Sequence, residues 1–206
     1  MKSKINLTQY PTPWIGIDEV GRGCLAGPVV AAAVIFKSNI DNRHYVDSKK
    51  INHTQRLTLS ESIHLNHWVA IGWASVEEID RVNILQATFI AMHRAVDLLL
   101  QKMGGQHEVG PTLLIDGRDQ IPSLGHLLQV PIIQGDQKVR LISAASIAAK
   151  VARDQFMIEL AKSGDDYGFE KHKGYGTAQH RKQIQKFGPT KWHRQSFSGV
   201  KEHLAP

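Results

Sequence analysis

Gly16-Ile17-Asp18-Glu19-Val20-Gly21-Arg22-Gly23-Cys24-Leu25-Ala26-Gly27-Pro28-Val29-Val30-Ala31-Ala32-Ala33-Val34 contains an apolar run closed by two acids, a glycine-punctuated loop and a second apolar run. Trp14 to Asp18 and Pro28 to Phe36 therefore read as two strands joined by the loop, with Asp18 and Glu19 at the end of the first. The signature recurs downstream. Thr112 to Asp116 is mostly apolar and ends in an acid followed by Gly117, the pattern of a buried strand that delivers a carboxylate. Val130 to Ile133 and Trp68 to Ala74 read as further strands.

Helical sequence fills the intervals. His53 to Asn66 has mixed polarity and reads as a surface helix. Ser75 with Glu78 three residues on forms a capping-box pattern. It opens a run in which Ile79, Val82, Leu85, Phe89 and Met92 recur every three or four residues until Gly104-Gly105 stops it. Residues 138 to 162, rich in Ala, form the longest helical pattern. This alternation predicts an α/β domain over residues 1–164, a mixed β-sheet flanked by helices. Residues 165–206 read as a small helical appendage: Thr177 caps a short basic helix that ends at Phe187-Gly188-Pro189.

Charge separates the same two parts. The chain has 206 residues, 42% of them apolar, and 25 Lys and Arg against 19 Asp and Glu. Residues 171–206 hold 8 basic and 1 acidic side chains, so the appendage carries the positive excess and points to a polyanionic partner. A single cysteine, Cys24, excludes an intrachain disulfide and a multi-cysteine zinc site, and leaves metal chemistry to oxygen or imidazole ligands. No run of about 18 apolar residues exists and the first residues lack a long apolar stretch, so a cytoplasmic chain without membrane contact is expected.

The acids carry the chemistry. Asp18, Glu19, Asp116 and Asp136 each follow an apolar strand, and in α/β sheets ligands gather at strand ends. Two ionised carboxylates ~4 Å apart repel by about 4 kcal/mol at an effective dielectric near 20, so a shared proton or a hard divalent cation has to compensate. A single strand-end Asp commonly just caps a helix; four beside glycine loops are harder to explain that way. Gly21-Arg22-Gly23 allows close backbone approach beside a guanidinium suited to phosphate. Lys49 and Lys50, before a helix, suit phosphate contact as well as they suit a solvated helix start. Tyr175, between two glycines in the basic segment, fits either stacking on a sugar or base or anchoring the appendage. His193 and Arg194 fit either packing or phosphate contact, and Asp154 reads as structural.

Taken with Asp47-Ser48-Lys49-Lys50, Ile115-Asp116-Gly117, Gly135-Asp136-Gln137-Lys138, Ser143 to Asp154, His172 to Thr177 and His193 to Phe197, the opening stretch resembles ribonuclease HII, in order from about residue 14 to residue 200. The resemblance implies an RNase H-like fold and a monomeric endonuclease cutting the RNA strand of RNA–DNA hybrids, including single ribonucleotides in duplex DNA. It assigns the metal-site carboxylates to Asp18, Glu19, Asp116 and Asp136. It makes Gly21, Arg22 and Gly23 the reader of the 2′-hydroxyl, and Tyr175 the partner at the ribose-to-deoxyribose junction. The family often has proline where Cys24 stands. The physical and family readings meet in a hydrolysis using Mg2+ or Mn2+, two ions with substrate and one or none without, that leaves 5′-phosphate and 3′-hydroxyl ends. A non-catalytic nucleic-acid binder and a small-molecule phosphohydrolase are the rival readings; a metal-dependent nick in a ribonucleotide-containing duplex separates them.

Overall fold

The β-branched and alanine-rich runs on either side of the glycine loop pair with each other. The computed structural model, which describes residues 5–37, 45, 51–104, 110–164 and 166–204, shows β1 (Trp14–Val20) antiparallel to β2 (Val29–Ile35), with Asp18 opposite Ala32. After α1 (His53–Asn66), β3 (Trp68–Ala74) adds antiparallel to β2. α2 (Val76–Lys102) then crosses to β4 (Thr112–Asp116), which pairs parallel to β1, and β5 (Leu128–Ile132) pairs parallel to β4. The mixed five-stranded order β3-β2-β1-β4-β5 puts the acid-bearing strands β1 and β4 side by side.

Strand alternation sorts the side chains onto two faces. Ile15, Ile17, Ala31, Ala33, Leu113 and Ile115 pack against α2. The opposite face meets α4 (Arg140–Ala161), whose alanines permit a close approach. That approach requires Gly16: a Cβ there would lie 2.4 Å from the Leu141 carbonyl carbon. A short α3 (Gly135–Lys138) precedes α4. Among the described residues, no helix is long and apolar enough to cross a membrane.

Two elements depart from the sequence reading. The run read over residues 138–162 is divided: Val139 is extended, ending α3 and starting α4, which at 22 residues is the longest unbroken helix among the described residues. α2 itself is broken at Asn83, with φ 72° and ψ 166°, and Asn83 Oδ1 accepts from the Leu85 and Gln86 amides at 3.0 and 3.2 Å, capping the second part. The Ser75–Glu78 capping box forms as the sequence indicates.

Beyond α4, α5 (Phe169–His172) and α6 (Ala178–Phe187) bring aromatic and histidine side chains onto Leu25, Met157 and Leu160. Thr177 caps α6, its hydroxyl accepting from the His180 amide at 3.2 Å.

Candidate active site

The register of the parallel pair fixes the acids. Ile17 lies opposite Ile115, so the next residue on each strand, Asp18 and Asp116, is its neighbour's counterpart across one strand spacing of about 5 Å. Both belong to the face that meets α4; Glu19, at the end of the strand, starts from the other face yet still acts on Asp18 and feels Asp116. Asp18 is 5% exposed. Its Oδ1 accepts from the Glu19 amide at 2.8 Å, and the Ser146 hydroxyl of α4 hydrogen-bonds the same carboxyl. Burial, then repulsion from Glu19 and Asp116, holds the Asp18 pKa well above its ordinary value. Burial also raises that of Glu19, against the pull of Arg22, whose Nη1 lies 3.6 Å away, and with a further push from Asp116.

Asp116 reaches across to the next turn. Its Oδ1 accepts from the Gly135 amide at 2.6 Å and the Asp136 amide at 3.4 Å, tying the end of β4 to the start of α3. Asp136 is 3% exposed and meets the cluster through its backbone amide. The structure thus brings Asp18, Glu19 and Asp116 into mutual repulsion and sets Asp136 on the turn that Asp116 holds.

The donor set is all oxygen and its negative charge is undercompensated, which fits a hard divalent cation. Among the described residues, no group of three or more His, Cys, Asp or Glu side chains is arranged to hold a metal ion. Asp18, Glu19 and Asp116 repel one another without closing on a single point, and magnesium at such a site would keep several waters and take further oxygens from a substrate phosphate.

Beside the acids, the loop is bent inward at one end and open at the other. Gly21 has φ 94°, and a Cβ there would come 2.2 Å from Arg153 Nε, so both conformation and contact demand glycine. At Gly23, by contrast, a Cβ would meet nothing within 4 Å. Protein packing therefore leaves room for a larger residue there, and close approach of an external group is the remaining use for glycine. Cys24 bridges to Tyr175 by isolated strand pairing, and its buried thiol is held above its usual pKa, which removes it as a thiolate nucleophile. Tyr175 is 40% exposed; Lys150 Nζ lies 5.5 Å and the Arg153 guanidinium 6.0 Å from its ring centroid. Asp154 accepts from Lys150 at 2.7 Å. Lys49 and Lys50 lie outside the described residues.

His193 and Arg194 resolve to packing: both are fully buried. The Thr190 amide donates to His193 Nδ1 at 3.0 Å, which leaves Nε2–H to donate to His180 Nε2 at 3.1 Å. His180 Nδ1–H then donates to the Tyr175 carbonyl at 2.9 Å. Burial lowers the pKa of both histidines to about 4, so the relay is neutral. Burial likewise pushes Arg194 down to about 10, still protonated at neutral pH. Two contributors escaped the sequence reading. Ser146 had only its polarity within an alanine-rich helix to mark it, and buried Arg153 looks like any helix-surface cation.

A mixed sheet with helices on both faces and carboxylates gathered where its two central strands end defines an RNase H-like α/β enzyme. The ribonuclease HII family model matches residues 15–200, and the chain belongs to that family, whose members are endonucleases hydrolysing the RNA strand of RNA–DNA hybrids. A ribonuclease HII of Pelagibacter ubique is 43% identical over 189 residues, covering 92% of this chain and 97% of its own length. Among solved structures, the RNase HII in a PCNA complex from Archaeoglobus fulgidus superposes with a TM-score of 0.73 at 23% identity, over 90% of this chain and 95% of that one. Bst-RNase HIII in complex with Mn2+ gives 0.72 at 18%, over 92% and 68%. At these identities the two structures speak for the fold.

Proposed function

We propose that this ribonuclease acts as a monomer that nicks duplex DNA on the 5′ side of single embedded ribonucleotides, as well as cutting longer hybrids, and leaves 5′-phosphate and 3′-hydroxyl ends. The observation that carries this reading is the meeting of Asp18, Glu19 and Asp116, each repelling another, directly before a loop whose Gly23 faces open space. Asp18, Glu19, Asp116 and Asp136 would hold two Mg2+ or Mn2+ ions, in keeping with the Mn2+ of the RNase HIII structure. Divalent cations bound there supply a water nucleophile at neutral pH and offset charge on the leaving 3′-oxygen.

The chain's own groups do the rest. Ser146 and the Glu19 amide fix the Asp18 carboxyl, and the Gly135 amide fixes that of Asp116. The backbone of Gly21, Arg22 and Gly23 reads the 2′-hydroxyl, which DNA lacks, and a buried polar group left unpaired there costs about 1 to 3 kcal/mol. Tyr175, backed by Lys150 and Arg153, offers its exposed ring at the ribose-to-deoxyribose junction. Residues 165–206 serve as the basic appendage on the catalytic domain of residues 1–164, meeting phosphates with the lysines and arginine of α6 and its flanks.

Incubating a duplex containing one ribonucleotide with the protein and Mg2+, Mn2+ or chelator tests the reading. A nick 5′ of the ribonucleotide is expected with metal and absent with chelator. Cleavage of long hybrids alone would remove the single-ribonucleotide activity, and products with 5′-hydroxyl ends would remove the chemistry.

A further inference from the structure

Arg153 and Arg194 are both 0% exposed, and among the described residues neither has a carboxylate within ion-pair distance. Burying a cation without an anion is costly unless it is well hydrogen-bonded. Here every guanidinium nitrogen is used, on backbone carbonyls. Arg153 donates to Pro28, Lys173 and Ala26 at 2.9, 2.8 and 2.9 Å. Arg194 donates through Nε to Gly27 at 3.0 Å, through Nη1 to Arg22 at 2.8 Å, and through Nη2 to Gly21 and Gly27 at 2.7 and 2.9 Å.

The peptide unit is planar and trans, so a carbonyl and the amide that follows it point in opposite directions. Drawing the Gly21 and Arg22 carbonyls inward onto Arg194 therefore turns the Arg22 and Gly23 amides outward. Neither amide finds an acceptor among the described residues. They are two aligned donors on the open side of the loop.

Arg194 is itself held from outside the loop. Asp80 on α2 accepts from the Gln195 amide at 2.9 Å and from the Ser196 amide and hydroxyl at 3.0 and 2.6 Å. The Arg194 amide donates to the Leu25 carbonyl at 2.9 Å, and the Gly27 amide to the Trp192 carbonyl at 2.8 Å.

We propose that Arg194 is a positioning residue for ribose selectivity, its fork on the Gly21 and Arg22 carbonyls aiming the Arg22 and Gly23 amides at the substrate, with Asp80 holding it in place. The proposal rests on the ribose-reading role given above to the 21–23 loop. The selectivity of the amino-terminal loop is then set by the carboxyl-terminal segment.

Competition reads this directly. Nicking of a labelled ribonucleotide duplex is inhibited with unlabelled duplex of the same sequence, either containing one ribonucleotide or entirely DNA, and the ratio of the two inhibition constants measures selectivity. Arg194→Lys keeps the charge and loses the fork. It is expected to lower that ratio about tenfold, the loss of roughly one buried hydrogen bond's 1.4 kcal/mol, while the inhibition constant of all-DNA duplex stays unchanged. Asp80→Ala, which leaves the loop and the guanidinium intact, should lower the ratio about threefold and keeps the test available if Arg194→Lys does not fold. Slower turnover with an unchanged ratio in the folded variants would show a merely structural role and overturn the proposal. A wild-type ratio of one would instead overturn the loop's role as ribose reader, and this proposal with it.

Discussion

At the ends of β1 and β4, carboxylates raise one another's proton affinity, and among the described residues Arg22 forms an ion pair only with Glu19. On the other side of the 21–28 loop, two buried guanidiniums use every nitrogen on a carbonyl acceptor, and a relay of neutral histidines pairs each ring N–H with an acceptor. The first region is held in an electrostatically unfavourable state by the fold around it; the second supplies part of that hold. The contrast is what a site for an incoming cation and an incoming ribose requires, since donors fixed in advance lose little on binding and repelling carboxylates gain from a cation.

The sharpest way to break the contrast is Asp18→Asn. Cleavage should fall on the order of 10³-fold. In chelator the variant should also unfold at higher temperature than the wild type, by on the order of 1 kcal/mol, because it removes a buried charge that its neighbours repel. The sign follows from the raised pKa. The native state holds this proton more tightly than the unfolded chain, so ionisation destabilises the fold as pH rises above the usual value near 3.8. The stability gap between variant and wild type should therefore widen from pH 4 upward and close at more acidic pH in thermal melts. A variant less stable than wild type at neutral pH would mean that the acid cluster is not under repulsion.

The histidine relay predicts the opposite dependence. His180 and His193 are lowered from 6.5 to about 4, so the unfolded chain binds their protons first. Their contribution is complete above about pH 6.5 and is lost as pH falls toward 4, by up to roughly 1.4 kcal/mol per pH unit for each histidine. Denaturant midpoints across that range should show the fall, and His193→Gln should flatten it. A wild-type midpoint that stays level from pH 6.5 to 4 would contradict a neutral relay.

How much of this the sequence discloses depends on whether the cause is local. His53–Asn66, Trp68–Ala74 and Thr112–Asp116 appear with the limits read from the sequence, because caps, glycines and apolar alternation act within a few residues. The acids at strand ends were legible for the same reason. Asn83 was not, since its positive-φ backbone is accompanied by its own side chain capping the next turn, inside an unbroken apolar pattern. Arg153 was not, and Arg194 only through its packing alternative, because a cation satisfied by carbonyls of residues 20 to more than 120 positions away carries no partner acid to notice. Lys49 and Lys50 fall outside the described residues.

The smallest effect concerns the turn into α3. Gln134 adopts the left-handed conformation, φ 56° and ψ 41°, and its side chain makes no capping bond. A left-handed residue other than glycine costs roughly 1 kcal/mol, while glycine gives back part of that through its freer unfolded chain. Gln134→Gly should thus raise stability by about 0.5 kcal/mol, visible as a small shift in the denaturant midpoint at unchanged slope. The position matters beyond its size, because the Gly135 and Asp136 amides that follow it are the ones that fix Asp116. If strain at Gln134 helps aim those amides, the gain in stability comes with slower cleavage; if the turn is merely tolerated, cleavage stays at the wild-type rate.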